Sequence, residues 1–144
     1  MISPRHILET ALYANDLDAA ERFYGDLLGL EKVTRAGDRH VFFRCGDGML
    51  LVFNSDESIK PPSNPAMPVP VHGTHGEGHM CFAGSAREIE DWTVALQAAG
   101  IEIEADFSWP GGGRSIYVRD PAGNSIEFAE PRIWGIDIEA KEQQ

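Results

Sequence analysis

The stretch GEGHMCFAG, residues 76–84, opens on glycines, sets a single histidine, His79, and then turns apolar. An imidazole at the mouth of an apolar strand can ligate a metal or carry a proton, and it can equally satisfy itself on a neighbouring carbonyl, so its meaning depends on its partners. Two more histidines, His72 and His75, stand just upstream in VHGTHGEG, where a glycine-rich, histidine-bearing segment reads as a lid or as adventitious metal affinity. The two cysteines, Cys45 and Cys81, form no CxxC or CxxxC pair. Neither a structural zinc knuckle nor a disulfide framework is indicated, and both are expected to be small buried hydrophobes.

The elements that must position these residues follow from periodicity. ILETALYAND reads as a strand ending at Asn15-Asp16, and LDAAERFYGDLLG then places Leu17, Ala20, Phe23, Tyr24, Leu27 and Leu28 at helical spacing. Asp16 is the expected N-cap and Gly29 the C-terminal stop. LEKVTRA, RHVFFRC and GMLLVFN read as strands separated by turn signals at Gly37-Asp38 and Gly46-Asp47-Gly48. Residues 5–54 are thus a β-α-β-β-β module. Residues 55–77, with five prolines, are expected to sustain no regular structure and to act as a linker or lid.

The same grammar then resumes over 78–131: HMCFAG as strand, SAREIEDWTVALQAAG as helix with Ser85 as N-cap, and IEIEADF, GRSIYVRD and GNSIEFAEP as strands. Glu9 and His79 lie 70 residues apart, Phe23 and Trp92 lie 69 apart, and Gly29 and Gly100 lie 71 apart, so the chain reads as a tandem repeat with a tail at 132–144. The expected fold is α+β, two βαβββ modules forming a curved, cup-like mixed sheet, with a face covered within the chain or across a homodimer.

Composition removes several function classes. At 144 residues and 42% apolar content the chain can bury a core, it contains no apolar run long enough to span a membrane, and it is expected to carry no secretory leader. It is expected to be soluble and cytoplasmic. A formal net charge of -11, with the arginines scattered among acidic residues, argues against nucleic acid.

The strings YANDLDAAERFYGDLLGLE and VRDPAGNSIEFAEP, the second with its Asp-Pro-x-Gly-x-x-x-Glu spacing from Asp120 to Glu127, resemble the vicinal oxygen chelate superfamily. That group includes glyoxalase I, extradiol dioxygenases and bleomycin-resistance proteins, and the resemblance spans residues 5 to about 131. It implies metal ligands on the first and last strands of the modules, which here are Glu9, His79 and Glu127. Glu9 occupies the position seven residues before Asp16, where the family more often has histidine, and His6 falls on the opposite strand face. Matching GMLLV to GNSIE places Val52 at the fourth ligand position, with no donor to offer.

Two carboxylates and an imidazole would suit one divalent ion such as Mn, Mg or Ca, without excluding Fe, Ni or Zn. The metal would act on a small oxygenated organic substrate through neighbouring oxygens, with Glu127 as the catalytic residue and His40, Arg114 and Tyr117 as substrate-binding groups. The other open reading is a metal-free ligand binder, whose walls would come from Phe42, Phe43, Phe53, Trp109 and Trp134.

Overall fold

The computed structural model describes residues 2–137; residues 138–144 of the acidic tail lie outside them. In order, the chain forms β1 (Glu9–Tyr13), α1 (Leu17–Ala20), β2 (Glu31–Ala36), β3 (His40–Cys45), β4 (Gly48–Phe53), α2 (Ser55–Ser58), β5 (His79–Ala83), α3 (Ala86–Ala98), β6 (Ala105–Ser108), β7 (Arg114–Arg119) and β8 (Ser125–Ala129). A 3-10 turn follows at Pro131–Trp134. Residues up to Gly78, with Pro121–Asn124, form one compact unit, and His79–Asp120 with the residues from Ser125 onward form the other.

Each unit carries a four-stranded mixed sheet, in the order β1-β4-β3-β2 in the first and β5-β8-β7-β6 in the second. The first strand of each module pairs in parallel with the fourth, and the remaining ladders are antiparallel. Period-two alternation gives each sheet a face packed on its helix and an open face. In the first unit Val41, Phe43, Leu50 and Val52 are buried with Phe23 and Tyr24 of the helix; in the second, Ile116, Val118, Ile126 and Phe128 are buried with Ile89 and Leu96.

Asp16 caps the first helix by accepting from the Ala19 N–H, and Ser85 with Glu88 forms a reciprocal capping box on α3. Gly29 and Gly100 both take a left-handed φ, 76° and 79°, as helix stops at matched points of the repeat. The first helix departs from the expected regular pattern, because Glu21–Leu27 continues it as a π-helix. The wider turn puts two adjacent aromatic residues, Phe23 and Tyr24, into the core together.

Three local expectations are corrected. The first residues of the 55–77 segment do form a helical turn, Ser55–Ser58, because the Asn54 side chain accepts from the Asp56 N–H and the first proline comes only at Pro61. Residues 101–104 of IEIEADF are not strand; the Ile101 N–H is bonded to Leu96 O as α3 ends, and β6 starts at Ala105. Cys81 is exposed and Cys45 half-buried, so neither is a fully buried hydrophobe. No helix among the described residues is long and apolar enough to cross a membrane.

Candidate active site

Ladder register assigns the open face of the second sheet. His79 pairs with Ser125 and that residue with Arg119; Cys81 pairs with Glu127 and that residue with Tyr117; Ala83 pairs with Ala129 and that residue with Ser115. The central row therefore has a carboxylate flanked by a thiol and a phenol. Because β8 is an interior strand, Glu127 is 6% exposed, not an edge glutamate facing water. Gly84, just past β5, admits no side chain, since a Cβ there would lie 2.3 Å from the Trp92 ring.

Around Glu127 the polar groups are specific. Its Oε2 accepts a hydrogen bond from Ser115 Oγ at 2.7 Å, and Ser115 Oγ in turn accepts from Trp109 Nε1 at 2.8 Å. Its Oε1 lies 3.3 Å from His79 Nε2. The other imidazole nitrogen, Nδ1, lies 3.0 Å from the Ser125 carbonyl oxygen. Nδ1 also lies 3.3 Å from Ser125 Oγ, a hydroxyl that can donate to it, so either tautomer finds a partner there, and Nε2 faces the carboxylate. With Nε2 unprotonated, two acceptors would oppose each other at 3.3 Å, an arrangement that calls for a proton or a cation between them.

Two neighbours are electrostatically tuned by the same carboxylate. Burial, then the hydrogen bond and charge of Glu127, pushes the Tyr117 phenol up to about 12. Desolvation of the sulfur, then the Glu127 charge, pushes the Cys81 thiol up to about 12, although the residue itself is exposed. Tyr117 therefore stays a donor at neutral pH, and Cys81 stays a thiol and does not become a thiolate nucleophile. The Tyr117 ring is nearly parallel to that of His79, 6.2 Å between centroids, and to Phe107, 5.9 Å.

Of the residues singled out in the sequence, the structure brings His79, Glu127 and Tyr117 together. Glu9 stands at the start of β1 in the first unit, exposed and paired with Met49. Among the described residues, no group of three or more His, Cys, Asp or Glu side chains is placed to hold a metal ion. Arg114 alternates with Ser115 and Tyr117, shares its face with buried Ile116 and Val118, and is bound by Asp106 and by Glu90 of α3. Its charge is spent on those two carboxylates, away from Glu127.

His40 belongs to the open face of the first sheet. It stacks on Phe42 at 4.0 Å, and Phe53 meets both rings edge-on. His72, from the segment after α2, packs against Phe53 and shares a 2.6 Å hydrogen bond with the Tyr13 hydroxyl, while His75 contacts Asp56 and Ser55. Phe43 is fully buried on the helix face, away from the ring cluster of the open face. Register also shifts one assignment: Met49 stands opposite Glu9 as Ser125 stands opposite His79, so Leu51, not Val52, matches Glu127. Neither has a donor, so the fourth position stays empty of one.

Ser115 is the functional residue that sequence reading missed. Its signal was present, because Ser115 lies two positions before Tyr117 on β7 and so shares its face.

This arrangement has relatives. The chain is 46% identical to a lactoylglutathione lyase from Agrobacterium tumefaciens whose crystal structure superposes with a TM-score of 0.88, covering 94% of this chain and 100% of that one. A virulence protein of Salmonella typhimurium is 28% identical over 123 residues, 83% of this chain and 79% of that protein. The crystal structure of that Salmonella virulence protein gives a TM-score of 0.66, with 90% and 98% covered. A glyoxalase/bleomycin resistance protein/dioxygenase from Nocardioides, 23% identical with a TM-score of 0.69 over 90% of this chain and 85% of that one, shares the fold. The sequence model of the Glyoxalase/Bleomycin resistance protein/Dioxygenase superfamily matches residues 6–128, and the chain belongs to that superfamily.

Proposed function

We propose that the chain is a glyoxalase-like metalloenzyme that moves a proton between adjacent oxygen-bearing carbons of a small substrate. The observation that carries this reading is the opposition of His79 Nε2 and Glu127 Oε1 at 3.3 Å, with the remaining imidazole nitrogen held at Ser125. An imidazole nitrogen facing a carboxylate oxygen at that distance is donor chemistry a divalent cation fits. A divalent cation held there would supply Lewis acidity to two neighbouring substrate oxygens.

The chain's own residues account for the rest. Ser115 donates to Glu127 Oε2, and the carboxylate is the group that would accept and return the proton. The Tyr117 phenol, kept protonated, donates to a substrate oxygen. The likeness to a lactoylglutathione lyase at 46% identity supports substrates that isomerise to thioesters of that type as the first class to test. The protein is proposed to act as a homodimer, a reading supported by the exposure of Glu9, Ala11, Cys81 and Ala83 on the open sheet faces.

The test is metal content of untagged full-length protein, with formation of S-lactoylglutathione from its isomeric hemithioacetal, in wild type and in Glu127→Ala and His79→Ala. The reading expects about one divalent ion per chain, lost in the Glu127 and His79 variants together with turnover. A second reading, a metal-free binder, is favoured by the rings of Tyr13, His40, Phe42, Phe53 and His72 on the first sheet. No uptake of Mn, Fe, Ni or Zn by wild type would leave that one standing.

A further inference from the structure

Away from the Glu127 row, the second unit carries a slot of about 290 Å3 between the tip of the β6–β7 hairpin and the 3-10 turn. Each side of it is fixed by its own backbone. Trp109 O accepts from the Gly112 N–H and the Trp109 N–H reaches Gly113 O, both at 2.9 Å, closing a turn that has Pro110 where a preset φ is favoured. Opposite, the Ile133 N–H reaches Glu130 O at 3.1 Å and the Gly135 N–H reaches Arg132 O at 2.9 Å. The two sides are pressed together at Gly113, where a Cβ would lie 2.5 Å from Ile133 Cγ2. The slot is therefore preformed, and a ligand entering it has little of the chain to order.

Its polar side chains are all donors. The Arg132 guanidinium presents Nε and Nη2 to the two oxygens of Glu130, at 3.1 and 3.4 Å, and Glu130 Oε2 also accepts from the Arg114 N–H at 2.7 Å. That carboxylate takes up one edge of the fork. Nη1 is left over the slot, 3.2 Å from the place a Cβ on Gly112 would occupy. Trp109 spends its Nε1–H on Ser115 Oγ and packs edge-on against Phe107, with centroids 4.9 Å apart, so it offers ring surface alone. Trp134 is 81% exposed, and among the described residues its indole has no hydrogen-bond partner and no ring neighbour.

Ring surface beside a half-used guanidinium matches one ligand chemistry. A planar ring covers the indoles, and a carboxylate on that ring accepts from Arg132. A cation would meet Arg132 with no side-chain acceptor in the slot to oppose it. We infer that the slot bounded by Trp109, Arg132 and Trp134 binds a small planar aromatic carboxylate, with the ring on the indoles and the carboxylate on Arg132 Nη1. Neither Glu127 nor a metal takes part, so this site stands or falls apart from the function proposed above.

The experiment is calorimetric titration of the full-length protein with 2-naphthoate, with its neutral analogue 2-naphthamide and with acetate, in wild type, Arg132→Gln, Trp134→Ala and Glu127→Gln. Alongside it, 1H–15N spectra would follow the indole N–H signals of Trp92, Trp109 and Trp134. The expected result is a Kd for 2-naphthoate of about 1 mM or tighter, and no heat from acetate at the same concentration. Binding should be about tenfold weaker for 2-naphthamide, and for 2-naphthoate in Arg132→Gln and Trp134→Ala. Both substituted residues are exposed, so neither change removes core packing. The Trp109 and Trp134 signals should move, while that of Trp92, packed on Phe128, should not. Glu127→Gln should bind as wild type does. Equal affinity for acid and amide, or wild-type affinity in Arg132→Gln, would overturn the carboxylate contact and the inference with it. Binding lost in Glu127→Gln would put the ligand on the open sheet face instead. Absence of binding, with Trp134→Ala changing the oligomeric state, would give the slot to contact between copies and equally overturn it.

Discussion

On the first sheet the middle row of the open face runs Ala11, Leu51, Phe42; on the second, the matching row runs Cys81, Glu127, Tyr117. The next row shows the same contrast. Tyr13, Phe53 and His40 stand where the second sheet has Ala83, Ala129 and Ser115. One face is a cluster of rings, and the other has small residues that leave room beside a carboxylate and supply it with a hydroxyl donor. The repeat thus keeps the scaffold and separates the chemistry. A carboxylate is tolerable at Glu127 because Ser115 and His79 accompany it, and the Leu51 position has no such company.

The largest effect should come from giving the second face the residue of the first. Glu127→Leu should weaken divalent-metal binding by more than about 100-fold and lower the thermal midpoint modestly, because buried Ser115 loses the acceptor of its hydroxyl proton. Calorimetric titration and thermal melts check this together. Retained metal affinity would mean that the division of chemistry between the faces is only apparent.

The reverse exchange is a stability experiment. Leu51→Glu places a carboxylate at 9% exposure opposite Ala11 and Phe42, with no donor in its row, and should cost on the order of 3 kcal/mol. Urea unfolding measures it. An unchanged midpoint would show that water reaches this row, and the first face would then not be a dry wall.

A smaller effect reads the carboxylate's field directly. Since desolvation holds the Cys81 thiol up first and Glu127 second, Glu127→Gln should lower the thiol only partway and speed its alkylation by iodoacetamide at pH 9 a few-fold. Cys45, raised by burial alone, serves as the internal control and should not change. Equal rates at Cys81 in both proteins would remove Glu127 from its surroundings.

The parts of this comparison legible in the sequence were those governed by period and spacing. The 70-residue offset between Glu9 and His79 placed both at the first residue of a module's leading strand, where β1 and β5 begin. Motif spacing likewise found Glu127. What failed was anything requiring a register between strands. GMLLV and GNSIE align by their glycines, yet the ladders offset them by one residue, which exchanges Val52 for Leu51 and one sheet face for the other. Arg114 and Tyr117 were grouped for their chemistry although their odd separation puts them on opposite faces. The hydrogen-bond chain through Ser115 depends on an indole arriving from the neighbouring hairpin, a contact with no periodic signature. The π-helical turn was equally hidden, since 100° spacing accounts for the same apolar residues.

The weakest expected effect isolates the ring cluster itself. Burial, with Arg39 as the lesser cause, holds His40 below the ordinary histidine value of 6.5. The unfolded chain therefore takes up a proton at higher pH than the folded one, so His40 contributes stability that is full above about pH 6.5 and is lost as pH falls through its folded value. His40→Phe keeps the stacking on Phe42 and removes the titration, so the variant should lose less stability than wild type on going from pH 7 to pH 5. Its counterpart on the second face, Ser115, does not titrate in this range. A His40→Phe protein with the same acid slope as wild type would place that slope in groups other than His40.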